Sequence, residues 1–305
     1  MPLKLIFMGT PEFAVPILNS LHKSSHNLLA VYTQNPKKSN RGQKINISPV
    51  EEFSKKNKLI VRNPKKLDFE ELNFIKKLNP DVVVVAAYGK IIPREFLNIK
   101  SINFINVHAS LLPRWRGAAP IQRSIIEMDK ETGISIMKIV PKLDTGPCLL
   151  QEKVTIEKKD NLNLLSKKLA ELGSKLILKT LLLIEENKHV FKDQDESKAT
   201  YAKKIDKKDS EIKWNMPAKN LIAIINGLNP FPGVWFKHKN NRIKIFEAIE
   251  VDQAGKTGEV LDKKLTVACG DKAIRILSLQ KEGKKILKTE DFLAGYKITE
   301  GEILI

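Results

Sequence analysis

Residues 81–86 read DVVVVA, four consecutive valines between an aspartate and an alanine. A strand with one wet face alternates apolar and polar side chains; this run gives neither face a polar residue. It therefore fits a strand covered on both sides, the habit of central strands in parallel sheets flanked by helices. The neighbouring segments keep that rhythm. Residues 3–8, 28–33, 59–62 and 102–107 read as strands, and 13–21, 50–58 and 68–78 read as amphipathic helices between them. Thr10 is placed to cap the first helix, with Pro11 at its first position. Residues 133–140 and 148–156 add two more strand-like runs. A helix over 161–187 carries Leu165, Leu169, Leu172, Leu176 and Ile177 near a 3.6-residue period. The expected class is α/β: a Rossmann-like, doubly wound, mostly parallel sheet.

The character changes after residue 188. Residues 189–205 are polar and predict a linker. Beyond 206 comes one helix, 218–227, then short strand-like runs at 233–236, 242–247, 258–261, 265–268 and 273–279. That spacing suits a small OB-like β-barrel. The expected domains are 1–188, catalytic, and 206–305, a C-terminal barrel. No run reaches the roughly 18 apolar residues of a membrane span, and the N-terminus lacks a signal-peptide cleavage pattern, so a cytoplasmic location is expected. Cys148 and Cys269 are far apart in sequence; they predict buried thiols, with neither a metal site nor a redox pair. The formal charge is +18, which suits a polyanionic partner. Eight of the 53 basic residues are Arg, however, so a lysine-rich composition alone also accounts for it.

The chemistry concentrates at residues 102–122, INFINVHASLLPRWRGAAPIQ. Asn106 and His108 stand two apart at a strand end, which puts both on one face. Polar residues at the C-terminal end of a strand, followed by a loop and a helix, are where open α/β sheets bind ligands. An Asn amide can donate to a developing oxyanion. A His can donate or shuttle a proton near neutral pH. Asp144, in the turn-rich run PKLDTGP, supplies a carboxylate to orient the imidazole. The trio suits nucleophilic addition to a carbonyl. No Ser or Cys sits in a GxSxG context, so the attacking group would belong to the substrate. The first strand-turn-helix has one glycine and neither GxGxxG nor a P-loop, so no dinucleotide or triphosphate is expected there. The alternative for the trio is ordinary loop capping. A second site of interest is Arg114-Trp115-Arg116, which either stacks on nucleic acid or is a structural loop. Pro113 is a candidate for a cis bond. His22, His26, His189 and His238 read as surface residues.

NVHASLLPRWRGAAPIQ followed by LDTGP resembles the folate-dependent formyltransferases, and within them the branch that acts on methionyl-tRNA. The resemblance runs nearly the whole chain: FMGTPEFAVPIL, ISPV, AYGKIIP, ATYAKKI and LNPFPGVWF fall in the family's order. It implies transfer of the formyl group of 10-formyltetrahydrofolate, a co-substrate, to the α-amino group of initiator methionyl-tRNA, with no metal. It implies that Asn106 holds the formyl oxygen, that His108 stabilises the oxyanion, and that Asp144 orients His108 through a water and helps take up the amine's proton. Ser110, Leu111, Leu112 and Pro113 would line the folate site, facing Tyr88, Gly89, Lys90 and Ile91. Arg41, with Lys37, Lys38 and Lys44 in the long basic loop at 34–49, would reach the tRNA acceptor end. Lys203, Lys204, Lys207 and Lys208 would grip its backbone. A monomer is expected.

Two positions depart from the family pattern. Pro141-Lys142 stands where a glycine commonly precedes LDTG, and Ala202-Lys203-Lys204-Ile205 replaces Ala-Pro-Lys-Ile. Two rival expectations follow from the same residues. One is a formyltransferase acting on a small amine, such as an amino-sugar nucleotide or a purine precursor; the other is a non-catalytic RNA-binding protein on the same scaffold.

Overall fold

A computed structural model describes residues 1–39 and 44–304. The chain divides into two compact units. The first comprises Met1–Pro120, Glu131–Thr155 and Ser166–Ala202; the second comprises Ile121–Lys130, Ile156–Leu165 and Lys203–Ile305.

The first unit is built on a seven-stranded sheet. Its strands are β1 (Lys4–Gly9), β2 (Asn27–Tyr32), β3 (Val61–Arg62), β4 (Val82–Ala86), β5 (Asn103–His108), β6 (Glu131–Lys138) and β7 (Cys148–Thr155). Their spatial order is β7-β6-β5-β4-β1-β2-β3. Neighbours pair in parallel except at β6, which runs against both β5 and β7. The valine run is β4, the central strand, and all five of its residues are buried. One face packs Val83 and Val85 with Ile6, Met8, Tyr32 and Phe104. Val82 and Val84, on the other face, are fully buried as well. Burying one such side chain on folding is worth about 1.5–3 kcal/mol, which is why the polar-free pattern is decisive here.

The chain builds β1, β2 and β3 to one side, returns, and builds β4 to β7 to the other. Direction therefore reverses between β1 and β4, the kind of switch point at whose C-terminal strand ends open α/β sheets form their ligand crevice. Thr10 lies there but does not cap the first helix, Ala14–His22, whose N-cap is Phe13 without a side-chain bond. The Thr10 hydroxyl instead donates to the Tyr88 carbonyl at 2.9 Å and accepts from the Gln34 amide at 3.4 Å. Its side chain is spent joining the loops that follow β1, β2 and β4. The 34–49 stretch is also not a plain loop: Lys37–Ser39 pairs antiparallel with Lys44–Asn46. Arg41 lies outside the described residues.

Part of the expected linker is structured within the first unit. Lys192 and Cys148 exchange two backbone hydrogen bonds, each of 2.8 Å. Tyr201–Ala202 pairs in parallel with Arg116–Gly117.

The second unit is β-rich and antiparallel. Its strands are β8 (Val234–His238), β9 (Asn241–Val251), β10 (Thr266–Ala268), β11 (Ala273–Lys281) and β12 (Leu287–Lys288), in the order β8-β9-β11-β10, with β12 against β11. The helix Ala218–Leu228 buries Leu221, Ile225 and Leu228 against Val234, Phe236, Ile243, Ile245 and Ile276. Residues 258–261 form isolated bridges rather than a strand. A short helix, Thr289–Gly295, was not legible in the sequence. His238 corrects the surface expectation. It is buried, and its ring contacts the Tyr296 hydroxyl at 3.0 Å and the Glu302 carboxylate at 2.7 Å. Both thiols are free and buried, and burial pushes each up to about 11. No helix among the described residues is long and apolar enough to cross a membrane.

Candidate active site

Asn106 and His108 close β5, two residues apart and so on one face of the sheet. Asn106 is half-buried, while the His108 side chain is 6% exposed. The His108 Nε2 lies 3.0 Å from the Trp115 carbonyl, which can only accept, so that nitrogen carries a hydrogen. Nδ1 is left facing Asp144, with 3.6 Å between it and Oδ2. That separation is longer than a direct hydrogen bond and is of the kind a water can bridge.

Asp144 reaches this position from an unusual backbone. Its φ is 51°, in the left-handed region, where an Asp is tolerated better than most residues. Its Oδ2 accepts the Gly117 amide at 2.8 Å. Gly117 itself has φ 119°, and a Cβ there would stand 2.8 Å from the Ala202 carbonyl. Gly146 has no room for a side chain either, since a Cβ would run into the Lys138 carbonyl. Lys142 does not share the positive φ, so the missing family glycine deprives this turn of no backbone conformation it uses. The left-handed residue of the turn is Asp144 itself.

The SLLP loop is held by polar bonds beneath it. Ser110 is wholly buried and donates to the Arg114 carbonyl at 2.6 Å. Its own carbonyl accepts from Ser135 at 2.6 Å, and Ser135 in turn accepts the Leu112 amide at 3.0 Å. Gln151 donates to the Leu112 carbonyl at 2.8 Å. The Leu112–Pro113 peptide is cis. Leu112 packs on Met137 and Cys148, while Leu111 and Pro113 are half-buried. At the end of β4 the Tyr88 ring is buried in the sheet's core, and its carbonyl accepts from Thr10 and Gln34. Gly89 has φ 75°. The Lys90 ammonium bonds Asn35 and the Pro64 carbonyl. Ile91 is 91% exposed, an apolar surface in the loop that follows β4.

Arg114, Trp115 and Arg116 divide. The Arg114 guanidinium stacks 4.4 Å from the Trp115 ring. Arg116 is fully buried, and its guanidinium grips both Glu196 oxygens, at 2.7 and 3.0 Å. The nucleic-acid reading of Arg116 is therefore replaced by a structural one, and the guanidinium holds the Glu196 carboxyl below the usual carboxylate range.

The polar segment 194–200 carries contributions that sequence reasoning missed. Gln194 donates to the carbonyls of Asp144 and Gly146 at 2.9 and 2.7 Å, and accepts from Arg116 Nε at 3.0 Å. The Thr200 hydroxyl accepts the Trp115 amide at 2.9 Å. DQDESKAT offers no periodicity to mark these residues; its one signal is the three acids, at 193, 195 and 196, in a chain rich in lysine.

Residues 3–181 match the family model described as formyl transferase, and residues 204–297 match the formyl transferase C-terminal domain. The chain belongs to the formyl transferase family. Among its relatives in this family, the methionyl-tRNA formyltransferase of Pelagibacter ubique (strain HTCC1062) is 49% identical over 301 residues, covering 98% of this chain and 97% of that protein. The methionyl-tRNA formyltransferase of Caldanaerobacter subterraneus subsp. tengcongensis is 43% identical, covering 99% and 100% respectively. Among solved structures, HypX from Aquifex aeolicus in complex with tetrahydrofolic acid superposes with a TM-score of 0.70 at 15% identity. That match covers 100% of this chain and 51% of HypX, and it shows a shared fold. Asn106, His108 and Asp144 all lie in the first unit, the first two at the end of β5 and Asp144 in the loop between β6 and β7.

Proposed function

We propose that this chain transfers the formyl group of 10-formyltetrahydrofolate to the α-amino group of methionyl-tRNA. The observation that carries this reading is the 3.6 Å approach of Asp144, in the loop between β6 and β7, to His108 at the end of β5, in a chain this similar to relatives bearing that name.

The amine nitrogen attacks the formyl carbon, forming a C–N bond, and the carbonyl electrons move onto oxygen. The Asn106 amide meets the charge that builds there, with the His108 ring beside it; a preorganised donor of this kind is worth about 10²–10³ in rate. The new ammonium gives up a proton to Asp144 through the bridging water position. The bond from the formyl carbon to N10 of tetrahydrofolate then breaks, and N10 takes a proton as it leaves. Ser110, Leu111, Leu112, Pro113 and Tyr88–Ile91 bound the side of the crevice assigned to the folate. The exposed Ile91 and half-buried Leu111 give its flat rings apolar contact.

The partner side of the reading rests on charge. Lys203, Lys204, Lys207 and Lys208 are all exposed. In the same unit Arg242 stacks 4.0 Å over Trp235, pairs across the sheet with Lys237, and its buried Nε has no hydrogen-bond partner. Lys37, Lys38, Arg41 and Lys44 supply a third basic stretch. The deciding experiment supplies 10-formyltetrahydrofolate with Met-charged initiator tRNA, free methionine and an amino-sugar nucleotide as parallel acceptors. Formylation of the charged tRNA alone is expected. Formylation of the sugar amine in its place would refute the substrate assignment while leaving the trio its chemistry.

A further inference from the structure

We infer that Gln194 is a positioning residue for the reaction, setting the backbone from which Asp144 faces His108. The inference rests on the proposed role of Asp144, and it adds a residue outside the motifs of the SLLP and LDTG loops.

The Gln194 amide is fully committed. Both of its donors are spent within one turn, on the carbonyls of Asp144 and Gly146, which flank Thr145. Its oxygen accepts from Arg116 Nε, so a flip of the amide would set a carbonyl oxygen against two others and an NH2 group against a guanidinium. Arg116 is fixed in turn, wholly buried and bidentate on Glu196. The backbone of the same residue is anchored by its amide, which donates to Thr200 at 2.9 Å. One residue on, the Gly117 amide holds the Asp144 carboxylate itself. Asp144 is therefore gripped twice, by Gln194 at its carbonyl and by Gly117 at its side chain, and both grips lead back to Arg116.

This matters because Asp144 sits at a φ that an aspartate leaves easily. A non-glycine residue held in the left-handed region is strained and persists where its surroundings over-determine it. Gln194 supplies that determination. Released, the turn can relax toward φ below zero and carry the carboxylate off His108. A displacement of about 1 Å in such a group costs roughly 100-fold in rate.

The test compares Gln194→Ala with Gln194→Glu in the full chain. Glutamate keeps the shape and an acceptor for Arg116 but faces the two carbonyls with no donor. Both variants are expected to lose 10- to 100-fold in kcat, with KM for folate and for tRNA within about twofold and an unchanged melting temperature. The Gly117 amide proton, read by NMR on deuterated protein, is expected to move upfield in both, toward its position in Asp144→Ala. Wild-type kcat in Gln194→Glu would overturn the inference. So would losses that track melting temperature, or a Gly117 resonance that does not move. If the wild-type protein formylates no acceptor, the functional proposal fails by itself, and the Gly117 resonance still decides whether Gln194 positions Asp144.

Discussion

At the scale of single residues, the proposed site sets the His108 ring and the Asp144 carboxylate 3.6 Å apart, with Asn106 two residues before the histidine. Asn106 and His108 were legible because a strand's two-residue period puts them on one face. Asp144 could be named, but nothing in PKLDTGP says that its backbone is left-handed or that the Gly117 amide holds its carboxylate. The prediction at this scale concerns their separate duties. His108→Ala and Asp144→Ala are each expected to lower kcat by at least about 100-fold, the range for removing a positioned proton-transfer group. Tetrahydrofolate binding, measured by titration, is expected to stay within a few-fold of wild type, because neither side chain is among those assigned to the folate rings. An Asp144→Ala protein of full activity would remove the carboxylate from the mechanism.

At the scale of elements, buried strands were the easiest to read and the polar connections the hardest. DVVVVA announces a central strand because burying its valines on both faces dominates any local preference. The run at 189–205 reads as a linker because it is mostly polar, yet segment 192–202 is bonded to Cys148, Asp144 and the 115–118 loop. Its contribution comes from hydrogen bonds made to backbone, which leave no periodic trace in sequence. The C-terminal tail behaves the same way. Glu302 accepts from His238 at 2.7 Å and from the Thr299 amide at 3.1 Å. Those bonds, the histidine's first, hold its carboxyl down from the usual 4.5 to about 2. A carboxyl depressed on folding stabilises the protein above its unfolded pKa, and that stabilisation is lost as pH falls through the folded one. Glu302→Gln is therefore expected to melt below wild type at neutral pH, with the gap closing between about pH 4.5 and 2. Calorimetric melting across that range checks it; a gap independent of pH would mean that the carboxylate's charge contributes nothing to the clasp.

At the scale of the whole molecule the open question in the sequence is what the charge of +18 is for. A lysine-rich composition spreads cations over every exposed face and predicts weak, uniform attraction to any polyanion. A built tRNA surface predicts that a few lysines release most of the counterions. Salt separates the two, because each phosphate neutralised adds about 0.7–0.9 to the slope of log affinity against log salt. Replacing Lys203, Lys204, Lys207 and Lys208 with Gln is expected to flatten that slope by roughly 3–4 and to raise KM for charged tRNA, while KM for the folate stays fixed. The control replaces Lys55, Lys56, Lys76 and Lys77, which are equally exposed and carry the same formal charge. Both proteins then have a net charge four lower than +18, so any difference between them belongs to position rather than to total charge. Equal slopes for the two would assign the lysines at 203–208 to the general composition. A loss confined to the first set would give the positive charge a defined surface, on the unit of the chain that does not hold the trio.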